Sequence, residues 1–391
     1  MYNRSRTVRK CLSALLPLGM LLFCTPAMAE EDPITLRIQN MSLREKVGQL
    51  FVIRPDALEG RFGPAELEDN SIIGTTMVTD EMRAMYAKYP CGGFTLFRKN
   101  ILSPGQLKDF TRDLHSLGGI IPLTSIDEEG GRIARIANHK VDFGVPKFPP
   151  MGRIAASGDP GQAYEAGKVI GAYLHEFGLD VDFAPVADVN TNPRNPVIGD
   201  RAFGDDPLVA AQMVRSYVLG LHISGTASCV KHFPGHGDTS ADTHTGYAET
   251  LKTWDEIRSC EMIPFRAGIE AGTDMIMTAH IAAPNVTGSA EPATMSCTLL
   301  TEKLRGEMGY AGLIVTDALS MGAVTEKYSS SEACIACIRA GADMVLLPYD
   351  YCEGFDGVVH AVQTGMIPEP RIDESLYRIL RFKRDYLGMD P

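Results

Sequence analysis

The feature that most constrains the fold is a repeated alternation of short apolar runs with longer stretches of helical spacing. Seven runs lie at residues 93–97, 121–126, 181–186, 227–230, 275–278, 313–315 and 344–347, and residues 50–53 would form an eighth. Helical spacing is clearest at 161–177, 207–224 and 253–271. This alternation is typical of parallel strands joined by crossover helices. Eight repeats favour a closed (β/α)8 TIM barrel over an open doubly wound sheet. A nucleotide-binding open sheet would also show a Gly-rich turn after its first strand, and the sequence has none there.

The first 29 residues have the pattern of a secretory signal peptide. A basic start at residues 4–10 precedes an apolar stretch from 11 to 24, and residues 27–29 fit a cleavage site with small side chains. The apolar stretch is short and interrupted, which is atypical of a membrane span. We predict export to the periplasm or the extracellular space and a barrel domain over 30–391. An uncleaved anchor is the alternative.

The charge of the chain narrows the range of partners. It carries 49 acidic and 37 basic residues, a net charge of −12, and removal of the basic leader makes it more acidic still. Such a chain is repelled by nucleic acid and by anionic lipid. We expect a monomer that acts on a small molecule, with no nucleic-acid partner and no membrane contact after the leader is cleaved.

The cysteines do not form the framework of a small disulfide-rich domain. After the leader their number is odd and their spacing is scattered. Cys334 and Cys337 could form a redox pair or half of a zinc site. Because they lie in an Ala-rich helical stretch, the sequence favours two small buried residues one turn apart.

Polar residues follow five successive apolar runs. In a parallel barrel these positions meet at one end, where active sites of such barrels lie. The residues are Asp127, Asp188, Lys231, His232, His280 and Asp317. This repetition predicts a site at the carboxyl ends of the strands.

Residues 227–246 are the richest stretch, because a short apolar run gives way to a loop with three histidines and two aspartates. Asp242 and His244 could form a pair in which the carboxylate holds the imidazole for acid and base work near neutral pH. A zinc site is the rival use of His232, His236, Asp238, Asp242 and His244. No helical i, i+4 histidine pair is present, so we predict no metal.

Asp317 follows a buried run and precedes mostly apolar residues. A carboxylate placed this way suits a nucleophile or a stabiliser of a developing cation, and a helix N-cap is the bland alternative. A mixed set of donors and acceptors lies at neighbouring strand ends and suits a neutral polyhydroxylated ligand. Its members are Asp127, Arg135, Arg201, Lys231 and His232.

Residues 54–90 interrupt the expected link between the first two strands. The segment is polar and contains Gly60 and Gly63. It could form a lid over the barrel mouth or an inert insertion, and long surface insertions cost little.

Several motifs, taken together and in order, resemble the β-N-acetylglucosaminidase branch of glycoside hydrolase family 3. The central one is KHFPGHGDT at 231–239, followed by Asp-Thr-His at 242–244. The others are IDEEGGR at 126–132, NPVIGDR at 195–201, MTAH at 277–280, PATMS at 292–296 and GLIVTDALSM at 312–321. The resemblance runs from about residue 41 to 388.

The resemblance implies a (β/α)8 barrel and a retaining mechanism through a covalent glycosyl-enzyme on Asp317. It implies that His244 is the acid/base, with Asp242 as its dyad partner, whereas most retaining enzymes use two carboxyl groups. The terminal sugar would be held by Asp127, Arg135, Arg201, Lys231 and His232. No metal and no cofactor are implied. The β-glucosidase branches draw their acid/base from a second domain, and we expect no C-terminal α/β sandwich domain here.

The resulting expectation is an exported β-N-acetylhexosaminidase. It would remove non-reducing terminal β-linked N-acetylglucosamine from a small saccharide such as a GlcNAc-MurNAc fragment of peptidoglycan. Two enzymes of the same family remain as alternatives: a β-glucosidase and an N-acetylglucosaminide phosphorylase that transfers the sugar to phosphate. A silent cell-wall saccharide-binding protein is the alternative that is not an enzyme.

Overall fold

Eight parallel strands form a central barrel in a computed structural model of the chain, which describes residues 32–243 and 246–389. The strands are β1 (Phe51–Ile53), β2 (Gly93–Leu96), β3 (Leu123–Ile126), β4 (Val181–Asp182), β5 (Ala227–Phe233), β6 (Met275–Thr278), β7 (Leu313–Thr316) and β8 (Val345–Leu346). All eight correspond to apolar runs of the sequence. The eight strands are almost entirely buried, as expected where helices cover a parallel sheet.

The order of the strands closes the sheet into a barrel. Strands β1 to β7 pair in chain order, each parallel to the next, and β8 pairs with β1. A single parallel bridge between Val315 and Met344 joins β7 to the residue before β8. The predicted (β/α)8 barrel is confirmed.

Helices connect the strands. They are Pro33–Gln39 and Leu43–Gly48 before β1, then Pro64–Glu68, Asp80–Lys88, Pro104–His115, Met151–Ala155, Pro160–Glu176, Pro207–Ile223, Trp254–Ser259, Met262–Glu270, Pro284–Thr287, the π-helix Thr298–Glu307, Gly322–Thr325, Ser330–Ala340, Tyr351–Gln363 and Glu369–Leu387. Short 3₁₀ turns lie at Pro55–Leu58, Arg98–Asn100, Gly199–Arg201 and Ala293–Met295. Two strand pairs lie outside the barrel: Glu128–Gly130 with Ile133–Ala134, and Ala248–Glu249 with Ile281–Ala282.

Two strands differ in length from their apolar runs. Strand β5 continues through Phe233, so Lys231 and His232 lie on the strand and not on the irregular loop that the sequence predicted. Strand β4 ends at Asp182, and Val186 joins the sheet only through a bridge to Lys231. Pro185 has no N–H to give to a ladder, which explains the early end of β4.

The predicted helix starts were more reliable than the predicted helix lengths. Ser42 caps the helix Leu43–Gly48 in a capping box, with its backbone N–H donating to Glu45 Oε2 at 2.8 Å. The single helix predicted over 253–271 is wrong, because the chain forms two helices separated at Cys260. Pro264 cannot donate an N–H to the preceding turn, and this favours a break there.

The leader lies outside the described residues, so its cleavage and the export of the chain stay predictions. Within 32–243 and 246–389, no helix combines the length and the apolar character needed to cross a bilayer.

The seven cysteines within the described ranges are free thiols. Cys334 and Cys337 are fully buried on the helix Ser330–Ala340. Burial raises the pKa of both thiols above the usual range for cysteine. Their burial on one helix fits the interpretation of two small packing residues, and a neutral thiol is a poor nucleophile.

Candidate active site

A cavity of about 250 Å³ opens at the carboxyl ends of the barrel strands. We call it the mouth cavity. Its wall contains the predicted nucleophile and the five predicted sugar-binding residues: Asp317, Asp127, Arg135, Arg201, Lys231 and His232. The barrel therefore brings together residues from four of its strand ends, at the end where such barrels place their active sites. Their chemical roles stay predictions.

Lys231 is a buried ammonium group between two carboxylates. Its Nζ lies 2.8 Å from Asp127 Oδ1 and 2.6 Å from Glu129 Oε1. Burial alone would lower the pKa of Lys231, but the attraction of the two carboxylates outweighs this effect and raises the pKa above its ordinary value. Lys231 is therefore charged at neutral pH and fixes the direction of both carboxylates.

Asp127 faces a second cation across the cavity wall. Its Oδ2 lies 3.3 Å from Arg135 Nη2, while its Oδ1 accepts from Lys231. Burial raises the pKa of Asp127, but Lys231 and Arg135 together hold it below the ordinary value. The ionised carboxylate accepts hydrogen bonds only, and its remaining lone pairs suit hydroxyl donors.

Glu129 completes this cluster, although the sequence analysis did not single it out. Its carboxylate pairs with Arg201 through two bonds, Nε to Oε2 at 2.9 Å and Nη2 to Oε1 at 2.8 Å. Burial raises the pKa of Glu129, yet Arg201 and Lys231 hold it far below its ordinary value. The signal that could have found it is alternation, because residues two apart on a strand face the same side and Asp127 was already predicted.

Asp188 lies behind the cavity wall and contacts two histidines of that wall, His232 and His236. It is fully buried, and its Oδ2 lies 2.7 Å from His232 Nδ1, while its Oδ1 accepts from the backbone N–H of His236 at 2.6 Å. The carboxylate accepts a hydrogen bond from Nδ1, which leaves Nε2 as the ring nitrogen that can contact other groups. Arg201 Nη2 lies 3.4 Å from that nitrogen. The peptide bond between Lys231 and His232 is cis.

Asp317 directly follows β7 and lies in the cavity wall. Its backbone N–H donates to Thr278 O at 3.0 Å, and its Oδ1 accepts from the N–H of Ala318 at 2.8 Å. His280 Nε2 holds the next carbonyl, Ala318 O, at 2.8 Å. The N-cap interpretation of Asp317 is wrong, since the next helix begins at Gly322 with Met321 as its cap. The carboxylate is thus carried by a stiff strand end.

The predicted dyad is only partly described. His244 lies outside the described residues, so its pairing with Asp242 stays a prediction. Thr243 is 1% exposed and lies in the cavity wall. Its Oγ1 lies 3.2 Å from His236 Nε2, and its carbonyl accepts from the N–H of Ala323 at 3.1 Å. The chain is therefore tied to the barrel mouth directly before residue 244.

Part of the segment 54–90 contributes to the cavity. Arg54 follows β1 and is 5% exposed, with its guanidinium carbon 4.3 Å from the centre of the Phe97 ring. Its Nη2 lies 2.7 Å from Glu68 Oε2. Arg54, Glu68 and Asn70 all belong to the cavity wall. Arg54 could have been predicted, because it occupies the end of the first apolar run.

Two histidines of the rival zinc set, His232 and His236, have other contacts. His236 places its Nδ1 2.7 Å from Thr239 Oγ1, and burial lowers its pKa below the ordinary value. Within the described ranges, no group of three or more His, Cys, Asp or Glu side chains is arranged to hold a metal ion.

Comparison with known proteins shows the family to which the chain belongs. The sequence model of the glycosyl hydrolase family 3 N-terminal domain matches residues 42–382. The chain belongs to glycosyl hydrolase family 3. This match covers all eight strands of the family 3 chain and ends inside the last helix, Glu369–Leu387.

The relatives of this family 3 chain carry consistent names. It is 34% identical over 297 residues to a β-hexosaminidase of Stenotrophomonas maltophilia strain R551-3, which covers 74% of this chain and 85% of the relative. It is 33% identical over 340 residues to β-hexosaminidase A of Pseudoalteromonas piscicida, over 79% of this chain and 56% of the relative. The chain therefore spans little more than half the length of the second relative.

A solved structure agrees with the sequence relatives. The family 3 β-N-acetylglucosaminidase from Paenibacillus sp. str. FPU-7 superimposes with a TM-score of 0.81 at 34% identity, over 90% of this chain and 64% of that one. The predicted family and the predicted class of enzyme, a hydrolase similar to β-hexosaminidases, are confirmed by these relatives.

Proposed function

We propose that this chain is a retaining β-N-acetylhexosaminidase that releases non-reducing terminal β-linked N-acetylglucosamine, with peptidoglycan fragments such as GlcNAc-MurNAc as its substrates. The observation that carries the proposal is the position of Asp317. Its carboxylate lies in the wall of the same cavity as Asp127, Lys231 and Arg201. A nucleophile and a set of oriented hydrogen-bonding groups thus surround one small volume.

The charges of the cavity wall support a neutral substrate. Its described side chains include four cations and four carboxylates: Arg54, Arg135, Arg201, Lys231, Glu68, Asp127, Glu129 and Asp317. A phosphate site would have an excess of cations. Balanced charges with apolar neighbours such as Phe97, Phe183 and Met277 suit a sugar, which has hydroxyl groups at its edge and C–H groups on its faces.

The proposed reaction has two displacements at the anomeric carbon. First, the Asp317 carboxylate attacks that carbon while protonated His244 donates its proton to the glycosidic oxygen, so the aglycone leaves as an alcohol. Then neutral His244 takes a proton from water, whose oxygen attacks the same carbon and releases the Asp317 carboxylate. Two inversions retain the β configuration. Asp242 would hold the imidazole in position for both proton transfers.

The nucleophile is tested by Asp317→Asn, which keeps the size of the side chain and removes its charge. We expect kcat on 4-nitrophenyl N-acetyl-β-glucosaminide to fall by at least about 10³-fold, because the covalent step loses its carboxylate. Asp109→Asn is the matched control, since that carboxylate is 67% exposed on an outer helix. Activity of Asp317→Asn within tenfold of the control would contradict the proposal.

The acid/base is tested by His244→Ala with two leaving groups. A nitrophenol needs little protonation, whereas a sugar alcohol needs a full proton, so the variant should lose far more activity on the disaccharide than on the aryl glycoside. An equal loss on both substrates would mean that His244 does not act as the acid.

The acceptor and the sugar are tested by products. We expect GlcNAc-MurNAc to give free N-acetylglucosamine at the same rate with and without phosphate. Formation of N-acetylglucosamine 1-phosphate would favour the phosphorylase, and equal kcat/KM on aryl glucosides and aryl N-acetylglucosaminides would favour the β-glucosidase. Saccharide binding by the unaltered protein without any turnover would identify a silent binding protein.

We also propose that the chain is exported and that residues 1–29 are removed. The basic start, the apolar stretch and the small residues at 27–29 support this. Mass spectrometry of the protein from its native host should find a chain that begins near Glu30. An intact leader, or a chain confined to the cytoplasm, would contradict it.

A further inference from the structure

Asp127 and Glu129 enter the mouth cavity, and the residue between them faces the other way. Glu128 is 0% exposed and does not belong to the cavity wall. Glu128 and Glu129 belong to a small antiparallel hairpin, Glu128–Gly130 with Ile133–Ala134, whose turn is Gly131 and Arg132. On such a strand alternate side chains point to opposite faces. Glu128 is thus the carboxylate on the back of the hairpin.

The Glu128 carboxylate accepts four hydrogen bonds. Its Oε2 accepts from the backbone N–H of Arg135 at 2.6 Å and of Ile136 at 2.9 Å. Its Oε1 accepts from the N–H of Ala137 at 2.8 Å and from the hydroxyl of Tyr173 at 2.9 Å. Three successive backbone amides therefore end on one side chain, which fixes the strand that leaves the turn.

The backbone of Glu128 is fixed as well. Its N–H donates to Asp182 Oδ1 at 3.0 Å, at the end of barrel strand β4. The turn packs closely against the chain at Pro150 and requires glycine at residue 131, because Gly131 has a φ of +56° and a Cβ there would lie 2.8 Å from Pro150 Cα. Glu128 thus connects the barrel to both arms of the hairpin.

We propose that Glu128 is a positioning residue that sets the geometry of the sugar-binding groups on both arms. On one arm lie Asp127 and Glu129, which hold Lys231 and Arg201. On the other arm lies Arg135, whose own N–H is a donor to Glu128 and whose guanidinium pairs with Asp127. The proposal rests on the proposed function only for what the cavity binds.

The test compares Glu128→Gln with Asp343→Asn. The amide of glutamine offers one oxygen in place of two, so it cannot satisfy all three backbone N–H groups. Asp343 is the control for a buried carboxyl group: it is also 0% exposed and accepts from the N–H of Ile314 at 2.9 Å and from Ser375 Oγ at 2.8 Å. It also pairs with Arg305 and Arg378, and it lies at the opposite end of the barrel. Both variants replace a buried carboxyl group with an amide, and only Glu128 lies next to the mouth cavity.

We expect Glu128→Gln to raise KM for the aryl N-acetylglucosaminide by about 10- to 100-fold with a smaller change in kcat, because displaced binding groups weaken the hold on the sugar. Asp343→Asn should lower the melting temperature without this change in KM. Tyr173→Phe removes one donor of the four and should raise KM less than Glu128→Gln does. An unchanged KM for Glu128→Gln, or an equal rise for Asp343→Asn, would overturn the proposal.

Hydrogen exchange gives a readout that needs no substrate. The amides of Ile136 and Ala137 should exchange at least about tenfold faster in Glu128→Gln than in the unaltered protein, and at unchanged rates in Asp343→Asn. Unchanged exchange in Glu128→Gln would overturn the anchoring. If the unaltered protein did not cleave N-acetylglucosaminides, the proposed function would fail, whereas the exchange result would still decide the role of Glu128.

Discussion

The two ends of the barrel each bury a lysine, and the pKa values of the two lysines are shifted in opposite directions. Lys231 at the mouth is 2% exposed and Lys383 at the other end is 0% exposed. Lys231 contacts two carboxylates, which raise its pKa. Lys383 Nζ has neutral acceptors, Gln49 Oε1 and Gly92 O, each at 2.7 Å, and burial lowers its pKa to about 7.

The difference shows that burial alone does not identify a functional charge. Lys383 lies among neutral acceptors near the amino ends of β1 and β2, and its lowered pKa means that it loses its proton at a lower pH than an exposed lysine does. A lysine between two carboxylates stays charged and orients groups that face an open cavity. The two lysines differ in their partners, since both side chains are almost fully buried.

The largest expected effect comes from removing the charge at the mouth. Lys231→Met leaves Asp127 and Glu129 buried without their shared cation, so we expect kcat/KM on the aryl N-acetylglucosaminide to fall by about 10³-fold or more. Lys383→Met is the matched control and should stay within a few-fold of the unaltered enzyme. Similar losses of kcat/KM in the two variants would contradict the claim that only the lysine at the mouth serves the reaction.

A smaller effect is expected one layer behind the cavity. Asp188→Asn keeps an oxygen near His232 Nδ1 but loses the negative charge that selects the tautomer. Groups that orient other site residues in this way typically contribute about 10- to 100-fold in activity, and we expect a loss in that range. Steady-state kinetics across pH should also show a changed profile. If Asp188→Asn had the kinetics of the unaltered enzyme, the proposed contribution of Asp188 to activity through His232 would be contradicted.

Lys383 should make the free energy of unfolding depend on pH. Unfolded lysine titrates near pH 10.4, and Lys383 in the folded chain near pH 7. Between these values the unfolded chain binds the extra proton, so stability rises with pH, by up to about 1.4 kcal/mol per pH unit. Denaturant unfolding from pH 7 to 10 should show this rise relative to Lys383→Met. Parallel curves for the two proteins would show that Lys383 is charged when folded.

The smallest effect is expected in the outer helices, away from both ends. Cys334→Ala should leave kcat/KM unchanged and cost about 1 kcal/mol of stability, because a small buried group is lost. In the native protein a thiol reagent should label exposed Cys297 quickly and leave Cys334 and Cys337 unlabelled until unfolding. Fast labelling of the buried pair, or activity that depends on its oxidation, would revive the redox interpretation.

The sequence predicted the barrel because its strands depend on local information. Each apolar run is short and ends at polar residues, and β6 coincides with its predicted run at Met275–Thr278. The number of runs then indicates that the sheet closes into a barrel. The lengths were less certain, because the polar residues at the end of β5 carry no apolar signal although they pair with the neighbouring strands.

The cavity was harder to predict than the strands. Asp127 and Lys231 were found because each ends a run, whereas the partnership of Glu129 with both Lys231 and Arg201 is a contact between distant segments. The roles of Glu68 and Glu128 depend in the same way on how loops fold over the barrel. No local pattern in the sequence specifies such distances.

The central claim is that the carboxylate at the end of β7 forms a bond to the sugar. The most direct measurement is mass spectrometry of the protein after reaction with a fluorinated N-acetylglucosaminyl inhibitor that traps the covalent intermediate. We predict one added glycosyl group per chain, on the peptide that contains Asp317, and none in Asp317→Asn. An adduct on another residue, or an active enzyme that never forms one, would contradict the account.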